Sequence, residues 1–310
     1  MEKMPESTLI SGELTIAVLG GTGHVGVPYI TEFLAEGVQV RVLARTPERV
    51  ARRFPQVEVT PGSMMNEADV AHALGGADAA FLITPIGGNN EPGIELRAAR
   101  VAIAAAQATQ LPHLVYASLI QPGQPTGVPL LDVKVQIEEL LAASEVPWSS
   151  LRVGFYMEDV LGLRPGLLKR GIFLFPLPTC YQISFTATRD VARVAVELLR
   201  RGQVVNGSLD VVEPTARTLV GVANLAGQVQ GRRVIASSSW PFLPILRLAQ
   251  PLFRRFNPVM KSKVTMLDYF SRHDYVGNPN QLAEVLPGFE TTPMEAYLRD
   301  LTRIRKPPIL

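Results

Sequence analysis

Short continuous apolar runs alternate along this chain with longer stretches in which apolar residues recur every three or four positions. The first run, Leu14 to Leu19, is strand-like and breaks into glycines at Gly20, Gly21, Gly23 and Gly26. A helical pattern follows, with Tyr29, Ile30, Phe33 and Leu34 on one face and Gly37 as its stop. Further strand-like runs cover Val38 to Leu43, Val57 to Thr60, Ala79 to Ile83, His113 to Ala117 and Ser149 to Val153. Helical stretches lie between them at Glu67 to Leu74, Gly93 to Gln110 and Leu131 to Ser144. Strands that are apolar throughout belong to a parallel sheet covered on both faces. Their alternation with helices predicts right-handed crossovers and a Rossmann-type, doubly wound α/β fold. A helix over Arg189 to Arg200 then leads into a late strand, Gly207 to Val212, that returns to the sheet.

The second half is less regular, and prolines cluster at Pro165, Pro176, Pro178, Pro241, Pro244 and Pro251. The expected division is a dinucleotide-binding unit of residues 1–154 with 185–212, and a smaller lobe of residues 155–184 with 213–310. The lobe is expected over the carboxyl ends of the strands, where open α/β sheets bind ligands. The segment from Trp240 to Phe256 is apolar and aromatic, with Arg247, Arg254 and Arg255 interleaved and Lys261 and Lys263 following. It reads as a wall of an apolar pocket. A subunit or partner interface and a membrane-surface helix are the alternatives, the last weakened by the breaks at Pro244 and Pro251.

Composition narrows the class. A net charge of +2 spread over 310 residues does not call for nucleic acid as a partner. A single cysteine, Cys180, excludes a disulfide framework and a cysteine-rich zinc site, and it suits a reducing cytoplasm. The opening residues, with Glu2, Lys3, Pro5, Glu6 and Ser7, do not read as a secretory signal. No apolar run reaches the roughly 18 residues of a membrane span. His72, His113 and His273 are isolated, so no catalytic metal is expected. A small apolar substrate is the expected partner, and a homodimer is compatible with the sequence.

Strand, glycine turn and helix in that order form a cradle for a dinucleotide phosphate. Gly20 allows the tight turn, Gly23 lets backbone approach the pyrophosphate, and Gly26 lets the helix pack close to the sheet. Thr22, His24 and Val25 complete the loop, and the helix N-terminus offers free N–H groups and a positive dipole end. Strand two ends Val40-Arg-Val-Leu-Ala-Arg45, without the acidic residue that binds the adenosine ribose of NAD. Arg45, with Arg49 as a second candidate, instead suits a 2′-phosphate, which favours NADP(H). Both arginines also read as solvated loop charges. Thr84 is expected near the ribose and phosphates, and Ser63 near the adenine.

The G-x-x-G-x-x-G spacing resembles that of extended and atypical short-chain dehydrogenases/reductases. Those enzymes place a serine at the end of strand five, then a tyrosine, then a lysine four residues after the tyrosine. Ser118 and Lys134 fit, but the position four before Lys134 is Leu130. The usual proton relay is therefore missing. Lys134 is expected to hold the nicotinamide ribose, or to act as an acid or base if burial lowers its pKa. The plainer alternative is an exposed helix lysine paired with Glu138. Tyr156 is the first candidate to replace the tyrosine, with a packed aromatic as the equal alternative; Tyr181 and Asp132 are weaker. Asp190 is expected to cap the helix that it opens.

Several segments together resemble the NmrA-like group of atypical short-chain dehydrogenases/reductases, with its isoflavone-reductase-like and quinone-reductase-like relatives. They are Gly20 to Gly26, Val40 to Arg45, Leu114-Val-Tyr-Ala-Ser118, the helix with Lys134 and Glu138, Ser150 to Glu158, and Ser184 to Asp190. The likeness covers residues 13–215 well and the tail loosely. Arg152 is followed by Val153 and Gly154, where the family often has proline. The resemblance implies an NADPH-dependent reductase of a quinone, an enone or a related carbonyl compound. The alternative is a non-catalytic NADP(H)-binding sensor, because the family contains such proteins. A nucleotide-sugar epimerase is disfavoured by the missing tyrosine.

Overall fold

The structure is a computed structural model and describes residues 14–23, 25–85, 92–121, 125–162, 168–175, 177, 180–238 and 265–303. His24 and the Trp240 to Phe256 segment lie outside the described residues. The strands are β1 (Thr15–Leu19), β2 (Gln39–Ala44), β3 (Glu58–Pro61), β4 (Ala79–Leu82), β5 (Leu114–Leu119), β6 (Trp148–Val153), β7 (Phe155–Tyr156), β8 (Ile172–Phe175), β9 (Phe185–Thr186), β10 (Gly207–Val211) and β11 (Ile235–Ser238). The helices are α1 (Gly26–Ala35), α2 (Pro47–Arg53), α3 (Glu67–Leu74), α4 (Pro92–Ala108), α5 (Pro129–Ala142), α6 (Met157–Gly162), α7 (Thr188–Arg200), α8 (Leu219–Gln230), α9 (Asn280–Val285) and α10 (Met294–Arg303).

Seven strands form one sheet in the order β3-β2-β1-β4-β5-β6-β10, and every pairing in it is parallel. The chain runs outward from β1 to β3, then returns to β4 and proceeds the other way. That reversal opens a crevice beyond the carboxyl ends of β1 and β4, the usual ligand position in such sheets. Side chains alternate across β1. Ile16 and Val18 pack on one face with Tyr29 and Phe33 of α1 and Val194 and Leu198 of α7. Ala17 and Leu19 pack on the other with Val70 of α3, Ala102 of α4 and Ile137 of α5. The period of two thus feeds two separate cores, which is why these strands read as unbroken apolar runs. A third core lies apart from these, with Met157, Phe173, Leu219, Val222, Phe270 and Met294 among its buried members.

The long expected elements occur, with ends moved by one or two residues. Helix α2 was not foreseen as an element. It is only seven residues long and buries only Val50, so periodicity carries almost no signal over it. The later elements β7, α6, β8, β9, α8, β11, α9 and α10 are short or flanked by irregular chain, and pattern did not define them.

One expectation fails here. Asp190 does not cap α7, whose N-cap is Ala187. The Thr188 N–H, at the start of α7, instead donates to Glu158 Oε1 at 3.1 Å. The Asp190 carboxylate accepts from the Thr292 N–H at 2.7 Å and the Thr292 hydroxyl at 2.8 Å. Asp210 accepts from the Asn278 N–H at 2.8 Å, and Glu213 from the Met294 N–H at 3.1 Å. These three buried carboxylates fasten the C-terminal segment to the rest of the fold. Burial pushes all three carboxyl groups above their ordinary range, against the hydrogen bonds that favour the anion. Among the described residues, no helix is long and apolar enough to cross a membrane.

Candidate functional site

One cavity of about 790 Å³ runs along the crevice. At one end it is lined by Gly20, Thr22, Gly23 and Val25 of the glycine loop, with Arg45, Ser63 and Met65 beside them. At the other end it reaches Phe155, Tyr156, Asp159, Phe270 and Tyr275. Thr84, Ser118, Leu130 and Lys134 also line it.

The glycine loop is shaped by close approach. Gly20 has φ +88°, and a Cβ there would stand 2.2 Å from the Ile83 carbonyl oxygen. Only glycine fits both constraints, so β1 turns tightly against the end of β4. At Gly26 a Cβ would lie 2.5 Å from the Gly20 oxygen, which sets how near α1 comes to the loop. A Cβ on Gly23 would meet only the Gly20 oxygen, at 3.5 Å. Among the described residues nothing packs against Gly23 closely enough to require a glycine there, and it borders the cavity. Helix α1 starts at Gly26, but its first turn offers few free donors: the Val27 N–H donates to the Gly23 oxygen and the Tyr29 N–H to the Val25 oxygen, each at 3.4 Å, and Pro28 has no N–H.

Arg45 is exposed and follows β2 directly at the rim of the cavity. Arg49 is exposed on α2 and is not among the lining residues. Ser63 is held by its backbone N–H, which donates to Asp69 Oδ2 of α3 at 2.9 Å.

Lys134 is buried, at 6% exposure, and its partners overturn two expectations. Its Nζ donates to Glu95 Oε2 at 2.6 Å and to Thr84 Oγ1 at 2.9 Å. Thr84 Oγ1 donates to the same Glu95 oxygen at 2.8 Å, closing a triangle. Glu138 is not the lysine's partner. It is ion-paired with Arg152 of β6 and accepts from the Ser150 hydroxyl at 2.6 Å. Nor is the lysine prepared to act as a base. Burial opposes its charge, but the Tyr116 phenol and the Glu95 carboxylate beside it outweigh that, and its pKa is held above the ordinary lysine range. Burial likewise raises the Tyr116 phenol, which keeps it neutral, so the charge that holds the ammonium is that of Glu95. The ion pair with Glu95 thus favours the charged form of Lys134.

Ser118 Oγ is buried without a hydrogen-bond partner among the described residues, on a residue that lines the cavity. Tyr156 is half-buried and lines the cavity, and its hydroxyl is 2.5 Å from that of Tyr29, a fully buried residue of α1. Burial raises the pKa of both phenols, so neither ionises readily. Asp132 is occupied by Thr126, accepting from its N–H and its hydroxyl at 2.8 Å each, and Tyr181 is not among the lining residues. His113 is buried against Ser149 Oγ at 2.8 Å, and burial lowers its pKa to about 4, so it is a neutral core residue. Among the described residues, no cluster of His, Cys, Asp or Glu is arranged to hold a metal.

No site role was read from the sequence for Glu95, Tyr116, Phe155, Phe270 or Tyr275, and Tyr29 was read only as an apolar position of α1. Glu95 lies 39 residues from Lys134, and no local pattern links them.

The NmrA-like family model matches residues 12–287. The chain belongs to the NmrA-like family. Relatives of this NmrA-like protein include a (4-alkanoyl-5-oxo-2,5-dihydrofuran-3-yl)methyl phosphate reductase of Streptomyces griseus, 36% identical over 185 residues. That match spans 59% of this chain and 62% of the relative, less than two thirds of its length. An NAD(P)H azoreductase of Xenophilus azovorans is 28% identical over 220 residues, 71% of this chain and 75% of that one. Among solved structures, an NADPH-dependent quinone oxidoreductase of Escherichia coli complexed with NADPH superposes with a TM-score of 0.72. It is 22% identical and covers 93% of this chain and 99% of its own, a likeness of fold.

Proposed function

We propose that this protein is an NADPH-dependent reductase of a small conjugated or carbonyl compound, of quinone or enone type. The observation that carries this reading is one continuous cavity lined both by the glycine-loop cradle and by Phe155, Phe270 and Tyr275. The residues fit the cofactor on their own terms. Gly23 leaves the loop without a side chain beside the cavity, the positive end of the α1 dipole lies there, and Ser118 presents a buried hydroxyl with no partner among the described residues. Residues 1–154 with 185–212 form the cofactor unit in this reading, and residues 155–184 with 213–310 the substrate lobe. The protein is placed in the cytoplasm, a reducing compartment that suits its single cysteine.

When bound, NADPH supplies a hydride from its nicotinamide ring. The loop glycines and the start of α1 take the pyrophosphate. Arg45, exposed at the cavity rim, would hold the 2′-phosphate with a charge-assisted contact. The ammonium of Lys134 holds the nicotinamide ribose and favours negative charge developing on the acceptor. Ser118 Oγ donates a hydrogen bond toward the acceptor oxygen. Leu130 lines the cavity where the spacing of short-chain dehydrogenases would put their proton-donating tyrosine, and among the described lining residues Tyr156 is a phenol whose pKa burial raises. A conjugated acceptor suits such a site, since it spreads the incoming charge and leaves protonation to solvent. The names of the relatives agree with this class, since quinones and 5-oxo-2,5-dihydrofurans are conjugated carbonyl compounds.

The test is a titration with NADPH and with NADH, followed by fluorescence, and then NADPH oxidation with benzoquinone and a cyclic enone. Preference for NADPH by about tenfold or more, with turnover, is the expected result. NADPH binding without turnover of any conjugated acceptor would favour the non-catalytic sensor, the reading that Leu130 supports. No binding of either nucleotide would overturn both.

A further inference from the structure

We infer that Glu95 is a positioning residue whose carboxylate holds the Lys134 ammonium at one point of the cavity floor. The inference rests on the cofactor reading above for what that ammonium does, but not for how it is held. Glu95 belongs to α4, is 3% exposed and does not itself line the cavity. It therefore touches neither cofactor nor substrate and acts through Lys134. A lysine ammonium has three donors on a flexible stem. Two are committed, to Glu95 Oε2 at 2.6 Å and to Thr84 Oγ1 at 2.9 Å. That leaves one for the cavity that Lys134 lines or for the neighbouring Tyr116 hydroxyl, which is buried without another partner among the described residues. Thr84 Oγ1 spends its own proton on Glu95, so it can only accept from the lysine. The direction of each bond in the triangle is thus set by Glu95 being an anion.

This explains how a lysine survives in such a place without its usual helix tyrosine. A buried ammonium with no counter-charge would lose its proton or swing to solvent. The titratable groups facing Lys134 are Glu95 from α4, Tyr116 from β5 and Tyr156 from beyond β6. Glu138, one turn along α5, is neutralised by Arg152. Tyr116 and Tyr156 are neutral phenols, so Glu95 is the group that decides the lysine's charge.

Lys134 is one of six lysines in the chain, which makes its side-chain carbon signal separable. The experiment follows the 13Cε resonance of Lys134, assigned by its loss in Lys134→Met, from about pH 7 to about pH 11 in cofactor-free protein. It compares the natural chain with Glu95→Gln, and NADPH affinity is measured on the same samples. The natural protein is expected to keep Lys134 charged across the range. Glu95→Gln is expected to bring its titration down into the range and to weaken NADPH binding about tenfold, increasingly so as pH rises. An unchanged titration in Glu95→Gln would overturn the inference, as would unchanged NADPH affinity.

Where Glu95→Gln fails to fold, the double variant Glu95→Gln/Lys134→Met removes both charges. It is expected to recover the melting temperature that either single change loses, and a double variant no more stable than the singles would overturn the coupling. If the natural protein binds no NADPH, the cofactor reading falls, and the carbon titration alone decides whether Glu95 holds the lysine.

Discussion

The two ends of the cavity are built in different ways. The cradle end comes from one unbroken stretch, β1, the glycine loop and α1, in which backbone conformation does the work. The floor comes from three separate places, with Thr84 after β4, Ser118 on β5 and Lys134 on α5, and Glu95 of α4 stands behind them. There the work is done by buried side chains and one ion pair. A local backbone site tolerates changes in side chains and fails when a glycine gains a Cβ. A dispersed site tolerates small backbone shifts and fails when one charge loses its partner.

Substitutions can break this contrast. The largest effect is expected at Gly20→Ala, where the new Cβ meets the Ile83 oxygen at 2.2 Å on a residue with φ +88°. Thermal unfolding should report a loss of about 3 kcal/mol or more, together with loss of NADPH binding. Gly23→Ala is the control, because its Cβ meets nothing closer than 3.5 Å. It should lose cofactor affinity at nearly constant stability, and a large loss of stability there would mean that the loop is tuned for the fold and not for a ligand. Next comes Arg45→Ala, which should weaken NADPH by about 2 kcal/mol in a binding titration while leaving NADH unchanged. Equal weakening of both nucleotides would remove the 2′-phosphate assignment.

A smaller effect is expected at Tyr29→Phe, which keeps the ring against Phe33 and Phe81 but deletes one partner of the 2.5 Å hydroxyl pair with Tyr156. About 1 kcal/mol of stability should be lost in chemical denaturation, and the cost should vanish when Tyr156→Phe is present as well. The smallest stability change belongs to Ser118→Ala. Its buried hydroxyl has no partner among the described residues, so the variant should be as stable as the natural chain or up to about 1 kcal/mol more stable. Its rate with a quinone acceptor should nevertheless fall. A variant that loses stability instead would show that Ser118 Oγ is structurally bonded and not reserved for a ligand.

What could be read without coordinates follows the same division. Helix α3 occurs with its expected limits, Glu67–Leu74, and the central strands with ends moved by a residue or two, because their apolar runs are long or regular enough to carry a period. The glycine loop was readable for the same reason, since its members are neighbours in the chain. Lys134 was readable by its spacing from Ser118, but its environment was not. The sequence offered Glu138 one helical turn away, while the fold gave that carboxylate to Arg152 and supplied Glu95 from another helix. Asp190 misled in the same manner. Its place in the first turn of α7 suggested a local cap, and its carboxylate instead reaches Thr292, 102 residues away.

Chain order alone settled the alternation of strands and helices, the glycine turn and the absence of an acid at the end of β2. These depend on backbone conformation and on side-chain periodicity, both properties of adjacent residues. The charge state of Lys134, the pairing of Tyr29 with Tyr156 and the aromatic wall facing the cradle were decided by the tertiary structure. Each depends on which distant groups share a dry interior, and there the pKa of a side chain is set by its nearest counter-charge and by the loss of water, whatever its neighbours along the chain.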